Sequence, residues 1–272
     1  CVVYGLIPVL NSVEQIRAWR AQARREGSIL PAAIQGDTGM ARLGLAERDG
    51  DLVSRDADAL EGIAPTLVMS HLVSAEDPLA PVNQLQLMRF RQLRQLFPQA
   101  EGCLANSSAI FLGSEYHFDL VRPGAALYGV APTVGMPNPL KPVIRVQARL
   151  LQWRNVEDGA GVGYNHTWQA RRATRIGTIS IGYADGFLRS ASNSASVRFS
   201  GRSLPVIGRV SMDTVTVDVT EVPPDLLVPG ALFDVIDEIQ DINELARQAG
   251  TNAYEILTSL GARYRRHYAS EQ

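Results

Sequence analysis

Lysine is almost absent from this chain. Of its 26 basic residues only Lys141 is a lysine, all the others being arginine, so any chemistry that needs a Schiff-base amine has a single candidate. Cysteine is nearly as scarce: Cys1 and Cys103 have no metal-ligand spacing, and Cys103 lies in an apolar, strand-like run that predicts a buried reduced thiol rather than a disulfide. No apolar run approaches the roughly 18 residues that span a bilayer, nothing at the start resembles a signal peptide, and a cytoplasmic location is expected. An excess of charge of either sign is also missing. The formal net charge of −2 gives no basis for a nucleic-acid or anionic-membrane partner, and the pairs Arg171-Arg172 and Arg265-Arg266 read as short solvated faces. There is no initiator methionine either, and Cys1 to Leu6 reads as the interior of a strand, so the expectation is that sequence once preceded it.

What is present suffices for a proper core: 272 residues, 46% hydrophobic and 20% charged, are enough for one large or two modest domains. Ile7 to Leu10 reads as a short strand, Asn11-Ser12 as a helix cap, and Val13, Ile16 and Trp19 as one face of an amphipathic helix. Ile29 to Ile34 is the next strand, running into the Gly-punctuated loop Asp37-Thr-Gly-Met-Ala-Arg42-Leu-Gly. Thr66 to Ser70 is a third strand, ending at His71 before a helix over 84–97. A fourth lies around Cys103 to Ala105 and ends at Asn106-Ser107-Ser108; a fifth is Tyr116 to Arg122, stopped by Pro123-Gly124. Strands separated by helices predict parallel βα units, and polar residues just past strand ends mark the active-site face of such a barrel, here supplying about five of eight units.

After Tyr128 the texture changes. Pro132 to Pro142 is rich in Pro and Gly without periodicity, which marks a linker. Strands are predicted over 144–153, 175–181, 195–199, 204–219 and 232–236, with helices only over 242–249 and 254–260. The fold class expected is therefore α/β plus all-β: a partial (β/α)8 barrel over 1–135 and a β domain over 136–272, with no internal repeats.

The turn after Arg122 carries the chemistry most directly, because an arginine followed by Pro-Gly and small residues leaves backbone N–H groups open to an anion. Arg122 alone would more often be a salt bridge, yet Asp119, three residues away, does not share its face in a strand. Eight motifs then follow in order: Asp37-Thr-Gly-Met-x-Arg42-Leu-Gly, Ser70-His71, Ala105-Asn-Ser107, the His117 to Gly129 stretch, Val162-Gly-Tyr164, Ile181-Gly-Tyr-Ala-Asp-Gly186, Gly208-Arg-Val-Ser-Met-Asp213 and Tyr254-Glu255. This series resembles the alanine racemase family, fold-type III pyridoxal phosphate (PLP) enzymes with a barrel followed by a β domain.

The resemblance implies roles residue by residue. Arg122 would donate a hydrogen bond to the PLP pyridine nitrogen, and since a guanidinium keeps its proton, the ring would stay unprotonated and a poorer electron sink. That favours return of a proton to Cα, hence racemisation over transamination. Ser107, with backbone N–H groups of Gly124 and Ala125, would hold the phosphate. Tyr164, contributed by a second subunit, would be the acid/base on one face of the substrate, a phenol of pKa about 10 helped by His71 between it and Arg122. Arg42 and the Met212 N–H would bind the substrate carboxylate, while Asp213 would shape the pocket or the dimer contact.

Three departures from the family pattern stand out. Gln35 replaces an often carbamylated lysine and can still hydrogen-bond Arg42 without neutralising it, while Ala262 replaces a common phosphate-binding tyrosine. The third is the missing Lys-Ala-Asn-Ala-Tyr-Gly segment that carries the PLP lysine, for which Lys141 in the linker is no positional substitute. The resemblance thus implies an isomerase interconverting L- and D-alanine on PLP for peptidoglycan, acting as a homodimer with shared active sites, the chain as given being an N-terminally truncated, inactive form. Alternatives are a catalytically dead racemase-like dimerisation or regulatory protein, and a serine or broad-specificity racemase.

Overall fold

The computed structural model describes residues 1–56 and 58–269. They form two compact units: 1–126 with 131–139, and 127–130 with 140–272, the latter described to residue 269.

The first unit alternates strand and helix. Strands β1 (Val9–Leu10), β2 (Leu30–Gln35), β3 (Ile63–Met69) and β4 (Glu101–Cys103) pair in parallel in that order, with α1 (Val13–Glu26), α2 (Glu47–Arg55) and α3 (Pro81–Leu96) between them. Parallel neighbours need crossovers, and each crossover helix lays an apolar stripe on the sheet. Ile16, Leu87, Phe90, Ala32, Ile34 and Val68 meet in one buried cluster. Ser12 caps α1 by accepting from the Gln15 N–H, as the Asn-Ser signal predicts, and Gly27 ends it in the left-handed region.

Two elements differ from the sequence reading. Helix α2 escaped it because Glu47 to Arg55 has Gly50 in its middle and buries only Gly50 and Val53. The expected fifth strand is a single parallel bridge between Asn106 and Arg122. Residues 114–116 form a 310 turn, and Phe118 takes a positive φ of 51°, which interrupts extended backbone. The Gly102 carbonyl accepts from both Asp119 and Leu120 N–H, so a turn replaces a ladder.

The second unit is built on a six-stranded antiparallel sheet in the order β10 (Arg202–Pro205), β9 (Ser196–Phe199), β12 (Leu232–Ile236), β5 (Val146–Val156), β8 (Thr174–Ile179), β11 (Val215–Asp218). A bridge from Val206 to Val217 links the outer strands, so the sheet nearly closes and both edges are protected. The single strand expected over 204–219 is thus two, split by a turn at Gly208, whose φ is 75° and where a Cβ would press on the Val162 carbonyl. The small pair β6 (Gly161–Val162) and β7 (Trp168–Gln169) and helices α4 (Ile242–Ala249) and α5 (Ala253–Ser259) complete this unit. A partial parallel barrel followed by an antiparallel β domain is the fold class expected from the sequence. Among the described residues no helix is long and apolar enough to cross a membrane.

Candidate active site

Four of the residues singled out in the sequence sit at the C-terminal ends of the parallel strands, in the loops that follow them. Arg42 lies in the loop after β2. There the Asp37 carboxylate accepts from the N–H groups of Gly39, Met40 and Ala41 at 2.9 to 3.1 Å. Burial raises the Asp37 pKa, but those backbone donors outweigh it and hold the carboxyl below its ordinary range. The loop closes through a Gly36–Leu45 bridge, and Gly44, at φ 116°, comes so near the Asp37 N–H that no side chain would fit. Arg42 itself is exposed and forms no ion pair among the described residues. Gln35 donates its amide to the Leu43 carbonyl at 3.2 Å rather than engaging Arg42.

His71 follows β3 and is half-buried. Burial, then the charges of Arg122 and Arg42, push its pKa down, so the imidazole is held neutral near neutral pH. The two arginines and the histidine therefore share one electrostatic environment.

Arg122 is held by neutral acceptors. Its guanidinium donates to the Ser70 carbonyl at 2.7 Å, to the Cys103 carbonyl at 2.9 Å and to the Cys103 Sγ. The carboxylate that sequence proximity offered, Asp119, instead accepts from the Gly102 N–H and from Arg94 at 3.0 Å. Cys103 is a buried free thiol, as predicted, and burial raises its pKa against the opposing pull of Arg122. Its contact with Arg122 was not legible in the sequence.

Ser107 is 5% exposed and its Oγ accepts from the N–H of Gly124 at 2.9 Å and of Ala126 at 3.2 Å. Both bonds use the oxygen, so the hydroxyl proton remains to donate, and among the described residues it has no acceptor. Ala125 is buried at the start of a 310 turn, and a Cβ added at Gly124 would meet nothing within 4 Å. Its neighbour Asn106 caps the turn that follows, its Oδ1 accepting from the Ala109 N–H at 3.0 Å.

Tyr164 and Met212 belong to the second unit. Tyr164 opens a 310 turn and is 67% exposed. Its turn packs on the Gly208-Arg209 segment that leads to Met212. Met212 is 54% exposed; its carbonyl accepts from Ala184, while its N–H has no partner among the described residues. Asp213 pairs with Arg263 at 2.7 Å, and the same guanidinium reaches Asp185 at 3.1 Å.

Parallel βα units with cationic and hydroxyl side chains at their strand ends, followed by a nearly closed antiparallel sheet, define a class of two-domain barrel enzymes. The family model described as "Alanine racemase, N-terminal domain" matches residues 1–132, and "Alanine racemase, C-terminal domain" matches residues 143–268. The catabolic alanine racemase of Mesorhizobium japonicum is 48% identical over 267 residues, which are 98% of this chain and 70% of that protein. The alanine racemase of Rhodospirillum rubrum is 48% identical over 264 residues, 97% of this chain and 71% of that protein. The crystal structure of the Bartonella henselae alanine racemase, with covalently bound pyridoxal phosphate, superposes with a TM-score of 0.91 at 40% identity, covering 98% of this chain and 74% of that one. This chain belongs to the alanine racemase family.

Proposed function

We propose that this chain carries the cofactor and substrate contacts of an enzyme that interconverts L- and D-alanine on pyridoxal phosphate. The observation that carries the reading is the setting of Arg122: a permanent cation at the strand ends, gripped only by neutral acceptors, with its charge uncancelled.

The residues fit the cofactor. Ser107 offers an unspent hydroxyl proton and the neighbouring Ala125 N–H has no acceptor among the described residues, a donor pair suited to a phosphate, whereas the Gly124 N–H, expected to join them, is given to the Ser107 Oγ. Arg122 offers a donor that never becomes an acceptor and so suits an unprotonated ring nitrogen. When bound, PLP supplies a conjugated ring that stabilises negative charge at the alanine Cα. Arg122 would hold the ring nitrogen as a donor that keeps its own proton, a contact that would leave the ring a poorer electron sink and favour charge near Cα. Arg42 and the Met212 N–H take the alanine carboxylate, fixing which face of Cα is offered. Tyr164 holds or accepts the proton at its phenol oxygen on one face, with His71, kept neutral by burial and by both arginines, as the group between Tyr164 and Arg122. The exposure of Tyr164 and Met212 supports a homodimer in which a second copy completes each site. A cytoplasmic role in supplying D-alanine for peptidoglycan accords with this reading. Lys141, in the irregular segment of the second unit, is read as lying outside the cofactor site.

The test is titration of the chain with PLP, read by tryptophan fluorescence, followed by borohydride and mass analysis. Saturable binding that weakens in Ser107→Ala, with no adduct on Lys141, supports the reading. Equal binding by both proteins, or a stoichiometric adduct on Lys141, contradicts it.

A further inference from the structure

Helix α3 carries two amides where its pattern calls for apolar residues: its buried positions are Asn83, Gln86, Leu87 and Phe90. Gln86 is 0% exposed and sends its side chain into the strand-end loops. Its Nε2 donates to the Thr38 Oγ1 at 3.1 Å and to the His71 carbonyl at 2.9 Å, and its Oε1 accepts from the Val73 N–H at 3.0 Å. Both amide protons are spent.

Donor counting fixes the direction of every remaining link. Ser70 donates its hydroxyl proton to the Gly36 carbonyl at 2.7 Å, so in the Thr38–Ser70 contact at 2.8 Å the proton comes from Thr38. Thr38, having given its proton, accepts from Gln86. Thr38 and Ser70 are 3% and 2% exposed, so no solvent competes at any step. A one-way relay therefore runs from Gln86 through Thr38 and Ser70 to Gly36. The amide also pins the 71–73 backbone on both sides of Leu72. The Ser70 carbonyl, at the head of that segment, is the acceptor of Arg122 at 2.7 Å.

We propose that Gln86 is a positioning residue for the ring-nitrogen contact: acting through Thr38 and Ser70, it fixes the carbonyl that aims Arg122 and the peptide that carries His71. An unsatisfied network of this kind is worse than none, which makes it sensitive to one broken link. The inference rests on the cofactor reading of Arg122.

Two probes isolate the contact: 4′-deoxypyridoxine 5′-phosphate, which lacks the aldehyde and cannot bond covalently to an amine, and its analogue with carbon in place of the ring nitrogen. Their affinities are measured on the chain by calorimetry. The native chain should prefer the nitrogen-bearing probe by about tenfold, one hydrogen bond to a charged group. Gln86→Leu and Thr38→Val should bring that preference close to one while affinity for the carbon analogue stays near native, and Thr38→Ser should restore it. A merely structural role weakens both probes equally and leaves their ratio intact, which would overturn the proposal, as would an unchanged ratio in Thr38→Val should Gln86→Leu fail to fold. A native chain that shows no preference would overturn the cofactor reading of Arg122 and this inference with it.

Discussion

Arg122 and Arg263 are both arginines held by several close acceptors, and their surroundings are opposite. Arg263, in the β unit, is gripped by Asp185 and Asp213, and those carboxylates raise its pKa. Arg122, in the barrel unit, faces carbonyls and a thiol. A guanidinium between two carboxylates has spent its charge on the protein, whereas one held by neutral dipoles keeps its field for a ligand. Its effect already reaches His71, which Arg122 and Arg42 help to keep neutral.

The comparison breaks most sharply at Arg122. Arg122→Glu places a carboxylate against the carbonyls of Ser70 and Cys103, where it finds acceptors instead of donors. PLP affinity, read by fluorescence titration, should fall by a hundredfold or more, on the order of 3 kcal/mol, with a lowered Tm. Ser107→Ala comes next: it strands the Gly124 and Ala126 amides and removes the spare proton, for a loss of roughly tenfold in affinity for phosphate-bearing ligands, measured by the same titration.

His71 sharpens the contrast at a distance. By NMR its imidazole should titrate below the usual histidine range, and Arg42→Ala should move it back up. Because the folded pKa lies below the unfolded one, the unfolded chain binds more protons between the two values. His71 therefore leaves stability intact above its unfolded pKa and erodes it as pH falls towards the folded one, an erosion that Arg42→Ala should lessen in pH-dependent denaturant melts. The smallest effect is expected at Arg263→Ala. Tm should drop slightly as Asp185 loses a partner, and PLP affinity should not change.

Much of this was legible in the sequence because period and burial coincide. Leu232 to Ile236 and Ile242 to Ala249 appear within the bounds their alternation and helical spacing give. Arg42, His71, Ser107 and Arg122 could be picked out because the motifs that hold them resemble those of the alanine racemase family in order, and barrel chemistry gathers at strand ends. Helix α2 was hidden by its glycine, and the strand through Arg122 was an illusion of apolar content, broken by the Phe118 turn. Gln86 was hidden for a different reason. A glutamine on a helix reads as a solvated face, and only the fold shows that it shares a buried stripe with Leu87 and Phe90. The Cys103–Arg122 contact likewise joins residues 19 apart, which no periodicity connects.

The central claim, that Arg122 presents an uncancelled cation to the cofactor ring, is tested most directly by 15N NMR of ring-labelled PLP bound to the chain. The account predicts the shift of an unprotonated, hydrogen-bonded pyridine nitrogen throughout the neutral pH range, moving towards that of the free ring in Arg122→Leu. A pyridinium shift in the native chain, or one indifferent to Arg122→Leu, would contradict it.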